Sequence, residues 1–158
     1  MVRPLGDSLM TLRNVTQDDL PIFFEHQQDA EAIRIASFPP REWDVFMAHW
    51  QTNVLGDPIV RKKTILVGSS VAGNIVSWEQ GGERLVGYWV GKEYWGRGVA
   101  TAALSEFLEH ETTRPLYAYV AVQNLGSIRV LEKCGFQRAG DAITGPDGVT
   151  EILFRFEG

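Results

Sequence analysis

The spacing of apolar residues along this chain changes character several times, and the expected backbone changes with it. Residues 10–15 read as a short strand; Thr16, Asp18 and Asp19 then read as a helix start, since a hydroxyl caps open amides and acids favour the positive end of a helix dipole. Leu20, Phe23 and Phe24 continue that helix as an apolar stripe, and 30–36 predicts another short one. Beyond the break at Phe38, Pro39 and Pro40, the residues Trp43, Phe46, Met47 and Trp50 recur at helical intervals. The texture then turns to strand over 64–67, 71–78 and 84–90, punctuated by Gly68, Gly81 and Gly82, which predicts an antiparallel meander. Val99, Ala100, Ala103, Leu104, Phe107 and Leu108 mark one face of a helix that ends before Pro115. Residues 116–122 predict a strand and 124–134 a helix, with Ile128 and Leu131 inward and Gly135 as its stop. The segments 136–144 and 149–156, around a turn at 145–148, predict a closing hairpin.

Composition narrows the class. The 158 residues suit one domain spanning 1–158, and 44% apolar with 22% charged residues fits a soluble enzyme or binding domain. No apolar run approaches the ~18 residues of a bilayer span. Met1, Val2, Arg3, Pro4, Leu5, Gly6 and Asp7 lack the apolar core of a secretory signal, which predicts a cytoplasmic protein. Cys134 has no partner for an internal disulfide and reads as a small, partly buried thiol in preference to a nucleophile. A net charge of −5 argues against a nucleic-acid surface and mildly favours cationic or amine partners. His26, His49 and His110 are scattered among helices without ligand-like partners, so no metal is expected.

The chemistry concentrates at 86–101, where a strand passes through a glycine turn into a helix. Gly96 and Gly98 let the main chain approach a ligand without a Cβ in the way, and the first helical amides lack partners inside the helix. Such a junction suits an anion, here a pyrophosphate. A dinucleotide is the first candidate, because Gly96-Arg97-Gly98-Val99-Ala100-Thr101 nearly fits G-x-G-x-x-G. Thr101 replaces the third glycine, no acidic ribose ligand ends the next strand, and hairpins stand where βαβ units are required. Coenzyme A is the alternative.

Two sequence words support it. Trp95-Gly96-Arg97-Gly98-Val99-Ala100 resembles the acyl-CoA motif Gln/Arg-x-x-Gly-x-Gly/Ala of the GNAT acetyltransferase superfamily, with Trp95 in place of Gln or Arg. The stretch from Tyr94 to Thr101, and the segment Asn124, Ser127, Leu131, Glu132, Lys133, Gly135 and Phe136, are similar to the branch containing ribosomal-protein N-terminal acetyltransferases. The resemblance implies an α/β (α+β) fold with a mixed central sheet, splayed between its fourth and fifth strands, and helices on both faces. It implies that acetyl-CoA donates its acetyl group directly to a primary amine, either a small molecule or a protein N-terminus.

The same resemblance assigns candidate residues. Pantetheine would meet the backbone near Trp89 and Val90 and the side chain of Asn124. The amides from Trp95 through Gly96, Arg97, Gly98, Val99 and Ala100 to Thr101 would hold the pyrophosphate, and Arg97 either adds charge or is solvated. Val90 offers an amide to the oxyanion. The tyrosine acid common among relatives falls at Leu131, so Ser127 becomes the candidate acid; Asn124 and Ser127 also fit a helix cap. Glu79 is the candidate general base, against a plain solvated hairpin carboxylate. Tyr88, Trp89, Tyr119, Trp43 and Trp50 either line an acceptor pocket or pack the core. A non-catalytic acyl-CoA-binding module is the alternative function, and both monomer and homodimer remain open.

Overall fold

Polar turns and alternating apolar residues in the middle of the chain do form the expected meander, in a computed structural model that describes residues 9–158. The expectation for Met1 to Asp7 lies outside the described residues. Strands β1 (Met10–Arg13), β2 (Arg61–Val67), β3 (Ser70–Gln80) and β4 (Glu83–Val90) pair antiparallel in sequence order. β2 starts three residues before the expected position, because Arg61, Lys62 and Lys63 carry a polar edge that apolar periodicity does not register. The helix starts at Thr16 as expected, but the Thr16 hydroxyl makes no cap bond: the Thr16 amide donates to the Asp19 carboxylate at 2.9 Å, which also accepts from Arg13 at 2.6 Å and from the Thr64 hydroxyl at 2.6 Å. That carboxylate pins the helical start to the sheet.

The helices lie on both faces. Leu20 and Phe23 of α1 (Leu20–His26) and Phe46 of α3 (Trp43–His49) pack with Trp50 against Val76 and Trp78 of β3. The helical path from α3 continues through a wider turn, Trp50–Val54, which keeps Trp50 and Val54 buried. On the opposite face, Leu104 and Phe107 of α4 (Val99–His110) and Leu131 of α5 (Leu125–Lys133) meet Ile65, Ile75, Val86 and Phe154. Side-chain alternation along each strand divides the two cores.

β4 is parallel to β5 (Leu116–Ala121) for only two registered pairs, Arg84 with Leu116 and Leu85 with Tyr117. Beyond them the strands part, as expected for the fourth and fifth strands of a splayed sheet. β8 (Thr150–Phe156) pairs antiparallel with the other edge of β5 along its whole length. The expected continuous strand over 136–144 is instead two fragments, β6 (Gln137–Arg138) and β7 (Ile143–Thr144), both on β8. The break follows from Gly140, whose φ of 121° takes the chain off the extended path.

A buried carboxylate fixes the closed end of the wedge. Glu111, just past α4 and 1% exposed, accepts from Ser77 Oγ at 2.5 Å and from Arg84 Nε at 2.8 Å, while Arg84 Nη2 donates to the Ile59 carbonyl at 2.7 Å. Burial pushes the Glu111 carboxyl up, but the donors Ser77, Arg84 and the Thr113 amide outweigh it and hold it below its ordinary 4.5. Removing one partner of a buried pair strands the other charge, so Glu111→Ala should cost about 3–5 kcal/mol in denaturant unfolding. With its folded pKa depressed, Glu111 contributes stability above pH 4.5 that is lost as pH falls below that value; Glu111→Gln should lack this part of the acid limb.

Candidate active site

Hydrogen-bond alternation in an antiparallel pair decides which backbone groups of β4 are available. The Gly91 amide donates to the Ala72 carbonyl at 2.8 Å, and the register pairs Trp89 with Asn74 and Val90 with Gly73. Closely bonded pairs occur at every second residue, so Trp89 is turned to β3 while the amides of Tyr88 and Val90 face the gap toward β5. Trp89 therefore contributes its side chain and Val90 its main chain. The Trp89 indole donates to the His26 carbonyl at 3.1 Å and packs on Phe38 with ring centroids 5.5 Å apart.

Helix α2 (Ala30–Ala36) roofs the gap. Glu31 pairs with Lys92 at 2.8 Å on the β4 side, and Ser37, the left-handed residue closing the helix, hydrogen-bonds Gln123 just beyond β5. Beneath this roof lies a cavity of about 490 Å³. Among the sequence-expected residues, Trp89, Val90, Trp95, Gly96, Gly98, Val99, Ala100, Thr101, Asn124 and Ser127 line it. Arg97 does not; its guanidinium lies 5.6 Å from the centre of the Tyr94 ring.

The glycine turn has the backbone its sequence demands. Gly96 and Gly98 have φ of 74° and 73°, and a Cβ built on either meets no atom within 4 Å, so the requirement is conformational rather than steric. The first amides of α4 open toward the cavity side, as those of any helix start lack internal partners. The Trp95 amide is already used by the Lys92 carbonyl at 3.1 Å, which removes one of the expected anion donors. The Trp95 side chain acts as a brace instead, its indole donating to the Val90 carbonyl at 2.9 Å and tying the turn to the end of β4. Arg129 and Lys133, one helical turn apart on α5, also line the cavity and were missed by motif reading. Their i, i+4 spacing beside the second sequence word was the available signal.

Asn124 Oδ1 caps α5 by accepting from the Ser127 amide at 3.2 Å, the expected local role. Ser127 Oγ lies 2.7 Å from the Tyr88 hydroxyl across the gap. Leu131, where a tyrosine was lacking, is 1% exposed and belongs to the core. Cys134 Sγ contacts the Thr101 carbonyl at 3.6 Å, and burial pushes its thiol up, away from nucleophilic character.

A second cavity of about 740 Å³ opens on the α1 and α3 face. Tyr88, Trp89, Asn124 and Ser127 line both cavities, so the two meet where β4 and β5 separate. Trp50 and Tyr119 line the second one, whereas Trp43 stacks edge-on against Phe24 and lies outside it. Asp57, Glu79 and Glu151 line it against Arg41. Glu79 is exposed and registers with Arg84, whereas Ile75 registers with Tyr88, so the carboxylate sits some four strand positions from the tyrosine's level. The structure brings Ser127 to the junction and leaves Glu79 toward the outer end.

A model of the acetyltransferase (GNAT) domain matches residues 10–137. An uncharacterized N-acetyltransferase, p20, of Bacillus licheniformis is 25% identical over 145 residues, covering 83% of this chain and 80% of the relative. The spermidine N-acetyltransferase of Vibrio cholerae, solved with CoA and spermine, superposes with a TM-score of 0.79 at 17% identity over 94% of this chain and 95% of that one. An aminoglycoside acetyltransferase solved with coenzyme A and kanamycin gives 0.72 at 22% identity, covering 92% and 94%.

Gly73 limits the shape of the junction, since a Cβ there would lie 2.1 Å from the Trp89 carbonyl oxygen and 3.0 Å from Val90 Cα. Backbone must move to admit it. Gly73→Ala should lower stability by about 1–3 kcal/mol, read as a melting-temperature loss of roughly 2–4 °C per kcal/mol.

Proposed function

The chain belongs to the acetyltransferase (GNAT) family, and from that membership we propose that it moves acetyl from acetyl-CoA directly to a primary amine within a ternary complex. The observation that carries this reading is the meeting of two cavities at Ser127, one behind the glycine turn and one lined by acids and aromatics. The first suits the donor. Amides of Gly96 to Thr101 take the pyrophosphate at the α4 start, and Arg129 and Lys133 add positive charge. The gap-facing main chain of β4 before Val90 and the Nδ2 of Asn124, whose Oδ1 is spent on the cap, take the pantetheine arm as an added strand would be taken.

The second cavity suits the acceptor. Three carboxylates against one guanidinium favour a cationic amine, and about 740 Å³ is room for a small molecule. The similar structures hold spermine or kanamycin in addition to CoA, which supports the same acceptor class here. A protein N-terminus, implied by the likeness to the ribosomal-protein branch, is the competing acceptor. The Val90 amide faces the point where the thioester oxygen becomes negative. Glu79 is the candidate carboxylate for deprotonating the incoming amine, through water given its distance along the strand. Residues 1–158 act as one domain in this reading.

Calorimetry with CoA should give saturable binding to the wild-type chain. Gly98→Val, a β-branched residue forced to a φ of 73°, should weaken it at least tenfold. Release of CoA thiol should depend on the added amine; polyamines, aminoglycosides and N-terminal peptides form the panel. CoA binding with no amine-dependent release would favour a non-catalytic binding module. Ser127→Ala should lower kcat by about tenfold to a hundredfold with acetyl-CoA affinity nearly unchanged, a general acid's usual contribution being larger when its leaving group is more basic than a thiolate.

A further inference from the structure

Ser127 does not stand alone at the junction. Its Oγ is 2.7 Å from the hydroxyl of Tyr88, which reaches it from β4 on the opposite wall, and the same hydroxyl lies 3.4 Å from the Ser127 carbonyl oxygen. Tyr88 lines both cavities. We propose that Tyr88 is a positioning residue that donates its hydroxyl proton to Ser127 Oγ, aiming the serine O–H at the leaving sulfur so that Ser127 shuttles the amine's proton to it. The inference rests on the transfer reading above and adds to it the residue that orients the proton path.

Acid strengths require a shuttle rather than a simple donor. A thiolate with a pKa of about 8.5 is far too weak a base to keep an alcohol deprotonated, so Ser127 cannot end the step as an alkoxide. The balance closes when the amine nitrogen attacks, the C–N bond forms and the C–S bond breaks. Nitrogen gives one proton to Ser127 Oγ as the serine O–H proton passes to sulfur. The products are amide and thiol, and Ser127 and Tyr88 regain their starting states. Such a relay works only if the serine hydroxyl has one orientation, and a hydroxyl rotates freely unless something holds it. Tyr88 is suited to hold it, because burial pushes its phenol above the ordinary 10 and keeps it protonated, against the opposing pull of Ser127. Neither group changes net charge. The tyrosine absent at Leu131 is in this way replaced by one arriving from the sheet, acting through the serine instead of on sulfur itself.

The test is a mutant cycle of Tyr88→Phe, Ser127→Ala and their combination, with kcat and KM for acetyl-CoA measured at saturating amine. Phenylalanine keeps the ring in the core, and melting temperature and CoA calorimetry check that each variant is folded. Tyr88→Phe should lower kcat about tenfold with KM within twofold, and the double variant should be no slower than Ser127→Ala within twofold. A merely packed tyrosine would leave kcat of Tyr88→Phe within twofold of wild type, and independent roles would make the losses multiply; either result overturns the inference while leaving the transfer reading intact. A wild-type chain that binds CoA yet releases no thiol with any amine overturns both.

Discussion

The parting of β4 from β5 is the constraint on which the rest of this structure depends. Two registered pairs join the strands at Arg84 and Leu85, and by Tyr88 the backbone amides face open space. A parallel sheet ordinarily satisfies such groups along its full length, so an internal gap survives only if both walls are held from elsewhere. Here the closed end is fixed by Glu111, Arg84 and Ser77, and the open end is held by Trp95 on the Val90 carbonyl and by α2 spanning from Lys92 to Gln123. Flanking pairs complete the frame. β3 clamps one side of β4 with a glycine at the tightest point, and β8 backs β5.

That frame turns one opening into two chambers with a shared floor. The first chamber, the one proposed for the donor, is bounded by the left-handed Gly96 and Gly98 and the start of α4, with Arg129 and Lys133 also lining it. A turn set by backbone conformation does not depend on the side chain that precedes it, and Trp95, in place of the Gln or Arg of the usual motif, ties the turn to the end of β4. The second chamber is defined by residues of α3, β3, β4 and β5 that are far apart in sequence. Acids and aromatics line it, which is why the proposed acceptor is a cationic amine. The two chambers meet at Ala36, Tyr88, Trp89, Asn124 and Ser127, the residues common to both.

Much of this is legible in the sequence alone. The meander, the helices at 99–110 and 125–133 and the strand before each follow from periodicity and turn residues, and the glycine turn with Asn124 and Ser127 follows from local motif chemistry. Errors fell where local signals mislead. Charged residues at 61–63 hid the start of β2, and a glycine inside 136–144 broke a strand that apolar content predicted to be whole. For Trp43 pocket lining and core packing are both open in the sequence, and it packs on Phe24; an aromatic at helical spacing does not say which cavity, if any, it faces.

What the chain determined by itself was the glycine turn and the helix cap, both built from residues within a few positions of one another, so that their local structure is written in order. What only the tertiary structure decided was the meeting of Tyr88 with Ser127, the ion-paired clamp around Glu111, and the second cavity, whose partners lie 39, 27 and more residues apart. Neither spacing nor composition encodes such contacts, since they exist only once the sheet has twisted, parted and been roofed.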